Sequence, residues 1–424
     1  MLKAKQQYAF DTMKSGKNCF LSGDAGTGKS HVVNEYIEYC NKKNLDVVIT
    51  APTGIAALNI NGVTAHRAFN IPIGPVIEPV KSLPSILRDA DVVILDEVSM
   101  CRMDAFEYIV KIIVGVNKYR RKCNKEDLQF IVVGDFFQLP PVLVENEREI
   151  LEQHYNKKIG YAFAFQSPLW QACNFVNIVL DEVVRQDDKE FVANLNGARL
   201  GKRSSISYFS KVSARNEIEN AILLCGTNKA VLKKNEEELE KIKSKLVEYE
   251  SIITGEVRES DKMVPDIIQL KVGARVMTVV NDIEDRYRNG SFGTVVKLNE
   301  NSVIVKLDTG LTVEITRYQW KVQDYKLAEP SNNGKKDDKP SKLTQQTIGI
   351  FEQFPLKLAY AITIHKSQGQ TYDAVNLNPY CWDCGQLYVA LSRVRDAKNM
   401  HLTQPIKDSF LRASKEVINF YNSL

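Results

Sequence analysis

Residues 23–30 read GDAGTGKS, an uninterrupted G-x-x-x-x-G-K-S run. An apolar stretch at 18–22 precedes it and an amphipathic stretch follows. That is the strand–loop–helix setting a phosphate-binding loop needs. Gly23, Gly26 and Gly28 let the backbone curl until its N–H groups face phosphate oxygens, with Ala25 and Thr27 completing the loop. The N-terminus of the following helix adds a favourable dipole. Lys29 is expected to reach the β- and γ-phosphates, and the Ser30 hydroxyl to ligate Mg²⁺. An acidic partner stands at 91–97, DVVILDE, where an apolar run ends in two carboxylates. Asp96 is expected to hold Mg²⁺ through its water shell, and Glu97 to orient and deprotonate an attacking water. Gln138, in VVGDFFQLPPV, is placed to sense a γ-phosphate. Arg185 in VVRQ and Arg393 in LSRVR are candidates to neutralise the leaving phosphates, coupling hydrolysis to closure of a cleft. These types in this pattern imply Mg²⁺-dependent hydrolysis of a nucleoside triphosphate.

The elements that must position these groups can be read from hydrophobic period. Residues 18–22, 47–50, 92–95 and 130–133 are short apolar strands, and 31–40 and 104–117 carry helical spacing. Strand–helix alternation predicts an α/β fold with parallel sheets flanked by helices. Pro72, Pro75, Pro79 and Pro84 exclude helix interior and central strand, so 62–88 reads as an irregular insertion. A second α/β set starts after Leu169, with a strand at 221–225 and a long charged helix expected over 229–249. Its apolar stripe is Val231, Leu232, Leu239, Ile242 and Leu246. Over 266–325 the period changes to two: Val303, Val305 and Leu307 alternate with Ile304 and Lys306, and 311–315 follows a tight turn. Short strands with tight turns predict a small β-barrel. Residues 329–343, EPSNNGKKDDKPSKL, are polar and predict a flexible loop.

Composition sets the outer bounds. The chain has 424 residues, which at about 150 per domain suggests roughly three domains. Hydrophobic residues are 44% and charged residues 25%, so overall disorder is excluded. No apolar run is long enough to span a membrane, and MLKAKQQYAF lacks a signal peptide's apolar core. An intracellular, cytoplasmic location is expected. The net charge of +4 permits a nucleic-acid partner without arguing for one. The eight cysteines are scattered and read as reduced. Cys381 and Cys384 form the CxxC spacing, but no second pair stands where zinc would need it. They are expected to flank a helix start near Asp383.

Taken in order, GDAGTGKS, TAPTGIAALNINGVTAH, ILDEVSM, VVGDFFQLPPV, LKVGARVM, LAYAITIHKSQGQT and GQLYVALSRV resemble the petite-integration-frequency (Pif) family of superfamily-one DNA helicases, and more distantly the Dda and RecD helicases. The resemblance runs from about residue 2 to residue 403. It implies two RecA-like domains around one ATP cleft, with two insertions. The first domain would be 1–165, with 62–88 as a wedge at the duplex junction. The second would be 166–265 with 345–424, and 266–344 an SH3-like insertion over the DNA channel. It also implies an ATP-dependent 5′-to-3′ helicase acting on single-stranded DNA and single-strand/duplex junctions, as a monomer or beside replication or recombination proteins.

By the same resemblance, Gln6 reads the adenine edge. Gly26, Gly28, Lys29 and Ser30 match the phosphate loop, Asp96 and Glu97 the two carboxylates, and Gln138 the sensor. Arg185 and Arg393 match two arginine fingers, and Gly369, with Gln368, a segment between nucleotide and DNA. For DNA, the matching positions are Pro52, Thr53 and Gly54; Thr64 and His66; Thr227 and Asn228; and Thr363, His365, Lys366 and Ser367. Small polar residues suit contact with phosphates irrespective of sequence. One stretch departs from the family: where a Pro-Phe-Gly-Gly-x-Gln ending is usual, this chain has Asn124-Lys125-Glu126-Asp127-Leu128-Gln129. Only the last Gln is kept. The short termini look like a minimal bacterial or viral version. Two other readings are a RecD-like motor subunit of a recombination complex and an ATP-gated single-strand binding module. The unbroken set of carboxylates and arginines argues against the second. The preferred DNA structure, step size and pathway are not legible in the sequence.

Overall fold

The structure is a computed structural model. It describes every residue except 1, 54, 55, 58, 59, 73, 183–187, 285 and 328–342, and gives the backbone alone at 260, 323–327 and 343–346. The chain divides into two compact units. One holds 1–187, 323–346 and 414–424; the other holds 188–322 and 347–413.

The first unit is built on a six-stranded sheet: β1 (Cys19–Gly23), β2 (Val47–Ala51), β3 (Val63–Thr64), β4 (Val92–Leu95), β5 (Gln129–Val133) and β6 (Val176–Leu180). The order is β3-β2-β4-β5-β1-β6 and every pairing is parallel. All residues of β1, β4 and β5 are buried, as expected of strands covered on both faces. Helices α1 (Ala4–Lys14) and α2 (Lys29–Lys42) cover one face, with Ala9, Met13, Val32, Val33, Tyr36 and Cys40 in the core. A further helix, α3 (Met103–Lys122), buries a broad apolar stripe. The α/β expectation holds.

Gln129 explains the one residue kept from the departing stretch. Its side chain is buried. It accepts the Tyr36 hydroxyl at 2.6 Å and donates to the carbonyls of Met13 (2.8 Å) and Lys17 (2.7 Å). One amide therefore ties α1, α2 and β5, and satisfies groups that would be costly if left bare.

Three boundaries differ from the sequence reading. β6 belongs to the first sheet, because β1 is internal and needs a neighbour on its second edge; the first unit thus runs past 165 to 187. Residues 62–70 are not all insertion, since β3 extends the parallel sheet beside β2. The terminal helix Lys415–Asn422 joins the first unit rather than the second, because Phe420 stacks on Phe165 at 4.3 Å and packs against Trp170.

The Pro-rich segment is held by a buried ion network. Arg102 donates to both carboxylate oxygens of Asp104 at 2.7 Å, to Glu147 at 2.8 Å and to the Gly74 carbonyl at 2.7 Å. Asp104 in turn accepts the Val76 N–H at 2.8 Å. A segment with no regular ladder of its own thereby has its backbone groups paired from outside.

The second unit has a four-stranded parallel sheet. Its strands are β7 (Ile222–Cys225), β18 (Ala361–Thr363), β19 (Val375–Leu377) and β20 (Met400–Leu402), in the order β18-β7-β19-β20. Helix α4 (Asn228–Glu240) follows β7, and Asn235 joins it to β18 through both atoms of the Ala361 peptide. The helix expected over 229–249 stops at Glu240. Residues Val247–Glu250 form a strand, β8, with Tyr249 buried between exposed Glu248 and Glu250. Of the expected stripe, Leu239 is buried, whereas Leu232 is 59% and Leu246 39% exposed. Period two wins at 247–250 because Ile267–Leu270, here β10, pairs with it.

The β-rich region is an antiparallel sheet. It contains β11 (Arg275–Thr278), β12 (Phe292–Leu298), β13 (Ser302–Leu307), β14 (Thr312–Thr316) and β17 (Leu356–Leu358), in the order β14-β13-β12-β11-β17. Val303, Val305 and Leu307 are its buried alternation. β17 lies beyond 344, so the sheet draws a strand from after the insertion. Arg275 anchors it to the parallel sheet's approach, pairing with Asp308 and donating to the Asn220 carbonyl at 3.0 Å. The loop expected at 329–343 lies, but for Leu343, outside the described residues. Among the described residues, no helix is long and apolar enough to cross a membrane.

Removing Arg102 strands Asp104 in a dry site. Arg102→Ala should destabilise the first unit by about 3–5 kcal/mol, read as a lower denaturant midpoint. An unchanged midpoint would mean that the network does not hold the segment.

Candidate nucleotide site and nucleic-acid contacts

The nucleotide site grows from the carboxyl ends of three neighbouring strands. β1 runs into the loop 23–30, where Gly26 and Gly28 both have φ of 83°. Gly28 is the N-cap of α2, and a Cβ there would stand 2.6 Å from the Gln6 amide nitrogen. A Cβ on Gly23 would stand 2.5 Å from the Leu180 carbonyl oxygen of β6. These glycines are therefore required by contact as well as by conformation. Thr27 is buried, its hydroxyl donating to the Asp24 carbonyl at 2.9 Å. Gln6 is buried against the loop: its Nε2 donates to the Thr27 carbonyl at 2.9 Å and its Oε1 accepts the Lys3 N–H at 3.0 Å. Ala25 is buried and Ser30 exposed in the first turn of α2. The Lys29 ammonium folds onto the loop, donating to the carbonyls of Gly23 (2.7 Å) and Asp24 (3.1 Å).

β4 delivers the carboxylates. Asp96 continues the β2 ladder through its N–H to the Thr50 carbonyl at 2.9 Å, and its Oδ1 accepts the Glu97 N–H at 2.8 Å. Burial holds the Asp96 carboxyl well above the usual carboxylate range, and the Glu97 charge pushes the same way. The Glu97 N–H and the Lys29 ammonium oppose both. Two adjacent carboxylates with an exposed hydroxyl are hard oxygen donors, a set that fits Mg²⁺. Glu97 is left-handed, with φ 50° and ψ 43°, a conformation costing about 1–3 kcal/mol for a non-glycine residue. The turn that follows is packed tightly: a Cβ on Gly134 would lie 2.9 Å from the Val98 nitrogen. Gly134 begins the third loop, at the end of β5. There Gln138 is buried, with its N–H on the Asp135 carbonyl at 2.9 Å.

Tyr421 is a site neighbour that sequence reasoning missed. Its hydroxyl lies 2.5 Å from the Ser22 Oγ, accepts the Phe136 N–H at 3.2 Å and lies 3.5 Å from Asp135 Oδ1. Its ring stacks on Phe137 at 5.0 Å. It therefore bridges the strand entering the phosphate loop and the loop carrying Gln138. Nothing near residue 421 in the sequence signals this, because the contact spans 399 positions.

In the second unit, Arg393 is buried. It donates to the carbonyls of Val389 (2.7 Å), Ser367 (2.9 Å) and Gln370 (2.9 Å) and to the Ser392 hydroxyl (2.6 Å). Here it clamps the 367–370 turn to the helix α5 (Gln386–Leu391). In that turn Gln368 is buried and Gly369 is left-handed, with φ 77°. Arg185 lies outside the described residues.

The DNA candidates share a placement at strand ends. Thr53 follows β2, Thr64 ends β3, Thr227 follows β7 and Thr363 ends β18. Each hydroxyl accepts an N–H from the following turn: Ala56 (3.2 Å), Arg67 (3.4 Å), Ala230 (3.3 Å) and Lys366 (3.2 Å). Thr363 and Ser367 are buried, the latter donating to the Ile364 carbonyl at 2.8 Å, so these two side chains shape their turn. Pro52, Thr53, Thr64, Thr227 and His365 are partly exposed, and His66, Asn228 and Lys366 exposed. Burial lowers the His365 pKa, while Asp383 opposes the shift. Gly54 lies outside the described residues. Cys381 is buried, its thiol pushed up to about 12 by burial, and helix α5 begins just beyond Asp383 with Gly385 as its cap.

Tyr421→Phe removes one hydroxyl shared by both loops. It should cost about 1–3 kcal/mol of stability and lower kcat for ATP more than it raises KM. An unchanged melting curve and unchanged kcat would show that the bridge is dispensable.

Comparisons with known proteins agree with this geometry. Residues 1–204 match the model of the PIF1-like helicase family, and 358–397 match a UvrD-like helicase C-terminal domain. The chain is 30% identical to the ATP-dependent DNA helicase Pif1 of Campylobacter jejuni, over 95% of this chain and 94% of that one. The crystal structure of Bacteroides sp. Pif1 in complex with ADP-AlF4 superposes with a TM-score of 0.82 at 31% identity, covering 100% of this chain and 97% of that one. A second Bacteroides Pif1 structure, with ADP-AlF3 and single-stranded DNA, gives a TM-score of 0.70 at 32% identity and the same coverage. With both parallel-sheet units and an ATP site built on this plan, the chain belongs to the Pif1 family of superfamily-one, ATP-dependent DNA helicases.

Proposed function

We propose that this protein translocates 5′ to 3′ along single-stranded DNA and opens duplex or structured DNA, driven by ATP. The observation that supports the reading is that Lys29, Asp96, Glu97 and Gln138 stand in the turns that follow the neighbouring strands β1, β4 and β5. Lys29 leaves its loop carbonyls for the β- and γ-phosphates, and Gln6 offers its amide to the adenine edge. Ser30 and Asp96 would hold Mg²⁺, which would supply neutralisation of charge on the phosphates. Glu97 takes the proton of the attacking water, while Gln138 reports the γ-phosphate.

Arg393, from the second unit, serves as one finger, and Arg185 is the second candidate. In this reading ATP draws the two RecA-like units together, and Arg393 exchanges carbonyls of the 367–370 turn for phosphate oxygens. That exchange would couple nucleotide to the neighbouring His365–Lys366 strand contact. The Thr53/Thr64 turns and the Thr227/Thr363 turns then alternate in grip, and the Pro-rich segment held by Arg102 splits the junction. The Bacteroides relative's complex with ADP-AlF3 and single-stranded DNA supports this pairing of ligands. The active species is taken to be a monomer.

Two labelled partial duplexes, one with a 5′ tail and one with a 3′ tail, test the polarity. With ATP and Mg²⁺ only the 5′-tailed duplex should open. Opening of the 3′-tailed one alone would overturn the polarity. Opening of neither, with ATPase intact, would favour a motor subunit that needs a partner.

A further inference from the structure

The chain has three tryptophans, and they differ sharply. Trp170 is 3% and Trp320 5% exposed, whereas Trp382 is 49% exposed. Trp382 is nonetheless tightly placed. Its indole Nε1 donates to the Gly226 carbonyl at 3.3 Å, and its backbone N–H to the Gln386 Oε1 at 3.0 Å. Gln386 is fully buried and donates to the same Gly226 carbonyl at 3.0 Å. The Trp382 carbonyl accepts from Arg412 at 2.8 Å. Gly226 has no side chain to spare, since a Cβ there would collide with the Tyr380 carbonyl oxygen. The loop therefore lies directly on the turn that leads into Thr227 and Asn228. Asp383, the next residue, is near enough to His365 to act on its charge. Among the described residues, no aromatic ring stacks on Trp382, and about half of the residue (49%) stays exposed although its Nε1 edge is pinned.

A half-exposed ring held by its edge still has apolar area to bury, worth about 25 cal/mol per Å² covered. The phosphate contacts expected beside it, Thr227, Asn228 and Lys366, can donate or accept hydrogen bonds but have no face on which a base could stack. An aromatic ring has one: nucleobases stack on it irrespective of sequence. The pinning at Nε1, N and O means that little side-chain freedom is lost on stacking. We infer that Trp382 is a base-stacking platform for single-stranded DNA, adjoining the phosphate-gripping turns of the second unit. This rests on the helicase reading and adds to it a contact with bases rather than phosphates.

The lone exposed tryptophan makes the test specific. Oligo-dT and an abasic oligomer of equal length, each also made with a fluorescein label, are titrated into the intact chain. Tryptophan emission and fluorescein anisotropy are both followed. Oligo-dT should quench wild-type emission and the abasic strand should not. Trp382→Phe should lose the quenching while keeping most of the affinity. Trp382→Ala should weaken oligo-dT binding by about 5- to 150-fold, the range of one lost base stack, and leave abasic binding unchanged. Wild-type binding of oligo-dT without quenching, or equal weakening of both strands by Trp382→Ala, would overturn the platform and leave the helicase reading standing. Failure of the wild-type chain to bind either strand would overturn both.

Discussion

The nucleotide end of the first unit depends on three parallel strands ending at one level. β4, β5 and β1 are neighbours in the first sheet, and each runs from a fully buried body into a polar turn. The turns carry Asp96–Glu97, Gln138 and Lys29 respectively. Backbone ladders set the spacing between strands, so the chemistry is placed by hydrogen bonds made far from it. The close approaches allow no slack. Gly23 rests against the Leu180 carbonyl and Gly134 against the Val98 nitrogen, and Tyr421 fastens the strand before one loop to the start of another. Ligand sites outside the carboxyl ends of parallel strands are a general consequence of this architecture.

The second unit repeats the plan with a different emphasis. Its strand ends carry threonines that cap turns and an arginine whose donors engage carbonyls of the 367–370 turn. In the proposed function this arginine would exchange those carbonyls for phosphate oxygens. Its guanidinium geometry suits both sets of acceptors. The same turn is bounded by His365 and Lys366, the contacts expected for DNA. Trp382 sits one loop away, fixed through Gln386 of the helix whose Val389 carbonyl accepts from Arg393.

Much of this was legible in the sequence because it is local. An apolar run followed by GDAGTGKS, or by Asp-Glu, reports strand, turn and chemistry within ten residues. Val303, Val305 and Leu307 gave their buried face by alternation alone. What was not legible depends on distant pairing. Residues 247–250 followed a helical stripe in the sequence but became a strand because β10 offered a partner. β6 looked like the start of a second domain until β1 was seen to need a neighbour on its open edge. The barrel was expected from short strands, whereas the sheet recruits Leu356–Leu358 from after the insertion. Tyr421 carried no motif, and its role comes from where the last helix lands. Thr363 and Ser367 matched by type, yet burial turned their hydroxyls inward.

In the proposed function, the carboxylate at Glu97 drives a motor engaged by single-stranded DNA. The most direct measurement is steady-state ATP hydrolysis with and without saturating oligo-dT, for the wild-type chain and for Glu97→Gln. The account predicts strong stimulation by oligo-dT in the wild type and a loss of turnover of about 10²–10⁴-fold in the variant, with ATP binding retained. A rate indifferent to oligo-dT, or a Glu97→Gln variant that hydrolyses ATP at the wild-type stimulated rate, would contradict it.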